Sequence, residues 1–158
     1  MQPRVTLALK AMIVVMLALL LLSQVVMIPA VAANTAARNP DLAHLELPGV
    51  VGAIVFLALV QVVLICVFQL LTLVRADRIF SSDAFRYVDV IIGTMLTAAL
   101  LIAASFFVVS IAGALNPSIA ILAILGVTVG VSLALLVGVM RGLLRKALQL
   151  EQDLSEVV

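Results

Sequence analysis

RADRIFSSDAFRYVD, residues 75–89, is the most polar run inside a chain that is otherwise mostly apolar. It holds three of the nine basic residues (Arg75, Arg78, Arg86), three of the eight acidic ones (Asp77, Asp83, Asp89) and three aromatics (Phe80, Phe85, Tyr87). Long apolar runs flank it, from about Val50 to Val74 and from about Val88 to Leu115. A bilayer crossing needs about 20 such residues. The polar run therefore reads as the bend, residues 75–87, between two membrane helices.

Two further apolar runs are long enough to cross, from about Ala11 to Ala33 and from about Ser118 to Met140. Backbone groups in lipid must bond within their own segment, so each run is expected to be a helix. The composition agrees. Of 158 residues, 66% are hydrophobic and 11% charged, against about 45–50% apolar and about 25% charged in a soluble domain. The fold class expected is all-α: a polytopic membrane protein, one domain over 1–158, built as a four-transmembrane-helix bundle.

Charge sets the expected orientation. Arg4 and Lys10 precede the first span, Arg75, Arg78 and Arg86 lie in the second loop, and Arg141, Arg145 and Lys146 open the tail at 141–158. Only Arg38 falls on the other side, and the third loop, GALNPS, carries no charge. The positive-inside rule then places both termini and the 75–87 hairpin in the cytoplasm of a multi-pass protein of the bacterial cell membrane. The first run has a rival reading as a signal peptide, with MQPRVTLALK as its basic region and AVA at Ala30–Ala32 as a cleavage site. Its apolar length, reaching Ile28, suits a retained span better.

Within the hairpin, Ser81 is the expected N-cap of the third helix, offering its hydroxyl to a first-turn N–H. Asp83 then complements the helix dipole. Phe80 and Phe85 have the spacing of a hydrophobic staple. Arg86 and Tyr87 suit the headgroup layer. Arg75, Arg78, Arg86 and Tyr87 form the candidate contact surface for a cytoplasmic protein or anionic lipid. Asp89, about two turns into the helix, needs a cationic partner at that depth, with Arg75, Arg78, Arg86, Arg141 and Arg145 as candidates.

No ionisable residue lies in the middle of any span, which counts against proton-coupled transport. The polar residues there are neutral: Ser23, Gln24, Gln61, Gln69, Thr94, Thr97, Ser105, Ser110, Thr128 and Ser132. Interhelical hydrogen bonding is their expected role, with a bond to their own helix backbone the alternative for the Ser and Thr hydroxyls. In the fourth span, Gly126, Gly130, Ala134, Gly138 and Gly142 recur every four residues, a ridge that lets another backbone approach closely. Packing within one bundle is expected; the alternative is a homo-oligomer interface lining a pore.

In the outer loop, Asp41, His44 and Glu46 are too few and too similar to make a metal site. Cys66, the one cysteine, sits in an apolar run and reads as a packing residue. In the tail, Leu143, Leu144, Ala147 and Leu148 form an apolar stripe at helical spacing, followed by the acids Glu151, Asp153 and Glu156. No nucleophile–base pair, phosphate loop, metal set or cofactor motif is present in the sequence. We therefore expect no enzyme, no cofactor and no direct contact with nucleic acid.

The span arrangement, the hairpin DRIFSSDAFRYVD and the exit MRGLLRKALQLEQDL resemble small bacterial membrane proteins of domain-of-unknown-function family 2975, actinobacterial type, with Phe80 and Ser81 the most specific point. The resemblance implies no catalytic residues. It implies a membrane partner of a transcriptional regulator, because some members look as if they are encoded beside small helix-turn-helix proteins. The leading expectation is a non-enzymatic protein acting through a cytoplasmic or membrane partner. The second is a small oligomeric pore or transporter component built on the glycine ridge.

Overall fold

The computed structural model describes residues 3–76 and 82–157. Its helices are α1 (Pro3–Leu22), α2 (Ile28–Arg38), α3 (Glu46–Arg75), α4 (Ser82–Ile111) and α5 (Pro117–Glu156). No strand occurs among the described residues. Four helical segments are long and apolar enough to cross a membrane: Arg4–Arg38, Pro40–Arg75, Asp83–Ile111 and Pro117–Glu156. The chain is an all-α, four-span membrane protein.

The first span is continuous but not uniform. A π turn, Ser23–Met27, joins α1 to α2, and Ile28 N–H bonds back to the Ser23 carbonyl, five residues earlier. Pro29 is the cause. Proline has no N–H to give the carbonyl four residues back, and its ring crowds that carbonyl. Widening the preceding turn by one residue relieves the clash, as π bulges do. The extra residue also shifts the packed face. Thr6, Lys10, Ile13, Leu17, Leu20 and Gln24 face inward at alternating steps of three and four; beyond the bulge the steps are fours, at Ile28, Ala32 and Ala36.

Two turns shape the outer end. A 3-10 turn, Pro40–Leu45, leads into α3. At the end of α4, Gly113 takes φ 70°, a conformation that costs other residues about 1–2 kcal/mol. Gly113 N–H donates to the Ser110 carbonyl at 3.1 Å, and Ala114 N–H to the Val109 carbonyl at 3.2 Å. That pair of bonds is a Schellman motif. It closes α4 at Ile111, four residues before the expected end of the apolar run at Leu115. Asn116 then caps α5: its Oδ1 accepts from Ile119 N–H at 2.9 Å, with Pro117 opening the first turn.

The spans pack in chain order. α1 and α2 touch α3, α3 touches α4, and α4 touches α5. Among the described residues, no Cα atom of α3 lies within 8 Å of one in α5, and none of the first span lies within 8 Å of one in α4 or α5. Among the described residues, the buried apolar side chains are small or slender: Ile13, Cys66, Leu71, Ala84, Ile91, Ala99 and Ala134. Most large apolar side chains point outward, as lipid permits. α5 has 40 residues, about 60 Å at 1.5 Å per residue. A hydrocarbon core is about 30 Å thick, so α5 is about twice as long as a crossing needs, and its charged C-terminal part, from Arg141 onward, is the part suited to lie beyond the membrane.

Candidate interaction surface at the basic end

The N-terminus of α1, the C-terminus of α3, the N-terminus of α4 and the C-terminal part of α5 meet at one end of the molecule. Two polar clasps tie them. Lys10 Nζ donates to Thr72 Oγ1 at 2.8 Å and lies 4.9 Å from the centre of the Phe68 ring, one turn earlier on α3. Lys10 thereby keeps its charge at the rim while its stem covers apolar surface. On the other side, Arg141 Nη2 donates to Asp89 Oδ2 at 2.8 Å. Arg141 Nε sits 2.6 Å from Asp89 Oδ1, in an ion-pair contact without hydrogen-bond alignment. The guanidinium carbon lies 5.9 Å from the centre of the Phe85 ring. Phe85 and Asp89 are four residues apart, so they share a face of α4 and offer Arg141 a ring and a carboxylate together.

The sequence-predicted surface divides accordingly. Arg75 and Arg86 are exposed, and Tyr87 is half-buried. Asp83 is exposed in the first turn of α4. Phe85 lies half-buried beneath Arg141. Arg78, Phe80 and Ser81 fall outside the described residues, and with them the expected cap and staple. Arg145 and Lys146 are exposed on α5. Among the described residues, Arg141–Asp89 is the one ion pair, so Arg75, Arg86, Arg145 and Lys146 are not neutralised by one another's helices.

The interior is neutral and mostly self-satisfied. Gln24, buried at the π turn, donates through Nε2 to the Ile54 carbonyl of α3 at 3.2 Å. Its Oε1 accepts from Gln61 Nε2, also at 3.2 Å. Ile54 and Gln61 are seven residues apart, two turns on one face of α3. Gln69, eight residues beyond Gln61 on α3, is exposed. The hydroxyls take the alternative of the two expected roles. Thr94, Thr97, Ser105 and Thr128 bond to carbonyls four residues back in their own helices, at 2.7–2.8 Å. Their short side chains reach that carbonyl more readily than a neighbouring helix; the longer glutamine amides make the interhelical bond.

The glycine ridge also divides. A Cβ on Gly130 would stand 3.3 Å from Ala99 Cβ, and one on Gly126 3.1 Å from Ile102 Cδ1. Ala134 is buried. These three positions face α4. A Cβ on Gly138 or Gly142 would meet nothing within 4 Å, because a four-residue repeat drifts around a helix of 3.6 residues per turn. Between α3 and α5, over α4, runs an apolar groove of about 340 Å³, walled by Phe56, Leu59, Ala98, Ile102, Val129 and Leu133. At the opposite end, Asp41 and His44 sit on the 3-10 turn and Glu46 opens α3. Among the described residues, no three metal-ligating groups converge.

Gly113 and Asn116 carry structural roles that the sequence reading does not assign, and Gln24 makes the interhelical bonds expected of it with partners that the sequence does not name. Gly-x-x-Asn-Pro is a legible signal for the first two. Nothing in the sequence around Gln24 marks its partners.

A family model described as a protein of unknown function (DUF2975) matches residues 30–158. Residues 1–29, which contain α1, the π turn and the first two residues of α2, lie outside the matched segment. No curated protein and no solved structure matches the chain.

Proposed function

The chain belongs to the DUF2975 family, and from that premise we propose that it is a non-enzymatic protein of the bacterial cell membrane acting through its basic end. In this reading both termini and the hairpin face the cytoplasm, as the eight-to-one distribution of basic residues favours. The partner is a cytoplasmic or membrane protein that presents acidic groups; a transcriptional regulator is one such candidate. The observation that carries the reading is the contrast between the two regions just described. The membrane interior spends its polar groups on itself. The basic end leaves Arg75, Arg86, Arg145 and Lys146 exposed and without an internal ion pair among the described residues. The alternative of a pore lined by the α5 ridge has less support, since Gly126, Gly130 and Ala134 already face α4.

The test is crosslinking in native membranes, with captured proteins identified by mass spectrometry, for the natural chain and for the Arg75→Ala, Arg78→Ala, Arg86→Ala variant. A distinct protein lost in the triple variant supports the reading. Unchanged capture, or self-crosslinks alone through α5, overturns it. Labelling of single cysteines placed at Ala43 and Arg145 from outside intact cells checks the orientation: Ala43 should label and Arg145 should not.

A further inference from the structure

The C-terminal half of α5 carries two seams, one packed on α4 and one exposed. The first, Ala134, Val137, Arg141, Leu144 and Leu148, steps by three and four along the α4 side and is buried or half-buried throughout. The second consists of Leu143, Ala147, Leu150 and Leu154, followed by Val157 at the helix C-cap. It too steps by four and three, a heptad pattern. Leu143 is 61% exposed, Leu150 58%, Leu154 70% and Val157 86%. Inside the bilayer such exposure means lipid contact. These residues, however, lie beyond Arg141, where Arg145, Lys146, Glu151, Asp153 and Glu156 share the helix. There the seam faces water, where leucines at successive turns seek a partner.

We infer that this seam is the interface of a parallel homodimer, in which two copies of α5 continue out of the membrane as a short two-stranded coiled coil. Orientation supports a second copy as the occupant. Copies inserted alike in one bilayer bring their tails side by side and parallel, without further constraint. Charge supports it as well. With Leu143, Leu150 and Val157 at d and Ala147 and Leu154 at a, Lys146 falls at g and Glu151 at the following e. In a parallel dimer the g residue of one strand meets the next e residue of the other, so Lys146 of each copy faces Glu151 of its mate, twice by symmetry. Five residues apart on one helix, the two do not face each other within a chain, and no ion pair engages either among the described residues. Two heptads make a weak coiled coil in free solution. Tethering both strands to one membrane raises their effective concentration.

The test uses the full chain in liposomes, with Cys66→Ala as background, and a single cysteine at Leu150 on the seam or at Gln152 on the opposite face. Oxidation with copper phenanthroline should link the Leu150→Cys protein at least about tenfold faster, since a disulfide requires Cα atoms within about 7 Å. Equal rates, or monomer in both cases, overturn the seam as a self-interface; monomer in both would leave it to a different protein. Lys146→Glu should slow the Leu150→Cys linkage, and adding Glu151→Lys should restore it. Failure of the double reversal to restore the rate overturns the parallel register. Neither tail substitution touches the α4 contact, so folding is not at stake. The arrangement does not depend on which side of the membrane the tail occupies.

Discussion

Arg141 on α5 grips Asp89 on α4 through Nη2 and Nε while lying over the Phe85 ring, so a single side chain joins the last two spans at the membrane rim. Asp89 is about half exposed, and water weakens the attraction accordingly. We expect Asp89→Asn and Arg141→Gln each to lower stability modestly. The coupling from a double-mutant cycle should be about 0.5–1 kcal/mol, the upper range for partly exposed pairs. Unfolding in mixed micelles measures it, and a coupling of zero would make the contact incidental.

The Gln24–Gln61 amide pair should behave differently, because Gln24 is buried. Gln61→Leu leaves the Gln24 oxygen without its donor, at a cost of about 1–2 kcal/mol. Gln24→Leu also releases the Ile54 carbonyl contact. The double leucine variant should lose less than the sum of the two single losses, because no orphaned amide remains. Additive losses would mean that the two amides act independently.

Gly130 and Gly138 make a paired prediction on one helix. Gly130→Val forces side-chain atoms into Ala99 and should cost about 1–3 kcal/mol. Gly138→Ala meets nothing within 4 Å and should be neutral or slightly stabilising, by up to about 1 kcal/mol from helix propensity. Thermal unfolding in detergent compares them. Equal losses would show that α5 packs on a different face.

The turn between α4 and α5 is set by its two local residues. Gly113→Ala should lose about 1 kcal/mol from the left-handed backbone it must keep. Asn116→Ala should lose about 1 kcal/mol from the uncapped Ile119 N–H, whereas Asn116→Ser retains most of the cap. Midpoints of denaturation for the three variants distinguish capping from a general sensitivity of the loop.

The spans were legible because hydropathy and length determine them in lipid almost unaided. Their ends were less so. Hydropathy carries the third run to Leu115, but the backbone stops at Ile111, since helix ends follow Gly113 and Asn116 and not apolar content. The π turn was not legible: Pro29 announces a disturbance, yet whether a helix kinks, breaks or widens depends on neighbours that hold the rest straight. At the basic end, the need of Asp89 for a cation could be read from its depth. Choosing Arg141 among five arginines required the relative placement of α4 and α5. For the hydroxyls the sequence left two partners open, and reach, not polarity, decides between a helix and its neighbour.

Chain-order packing bears on how the protein is made. Each span rests against the one synthesised just before it, and among the described residues no Cα pair within 8 Å joins the first span to α4 or α5. Every docking step therefore closes only a short loop, which favours rapid assembly. A span leaving the insertion machinery finds its mate already in the bilayer, and no helix must wait for a distant part of the chain to emerge.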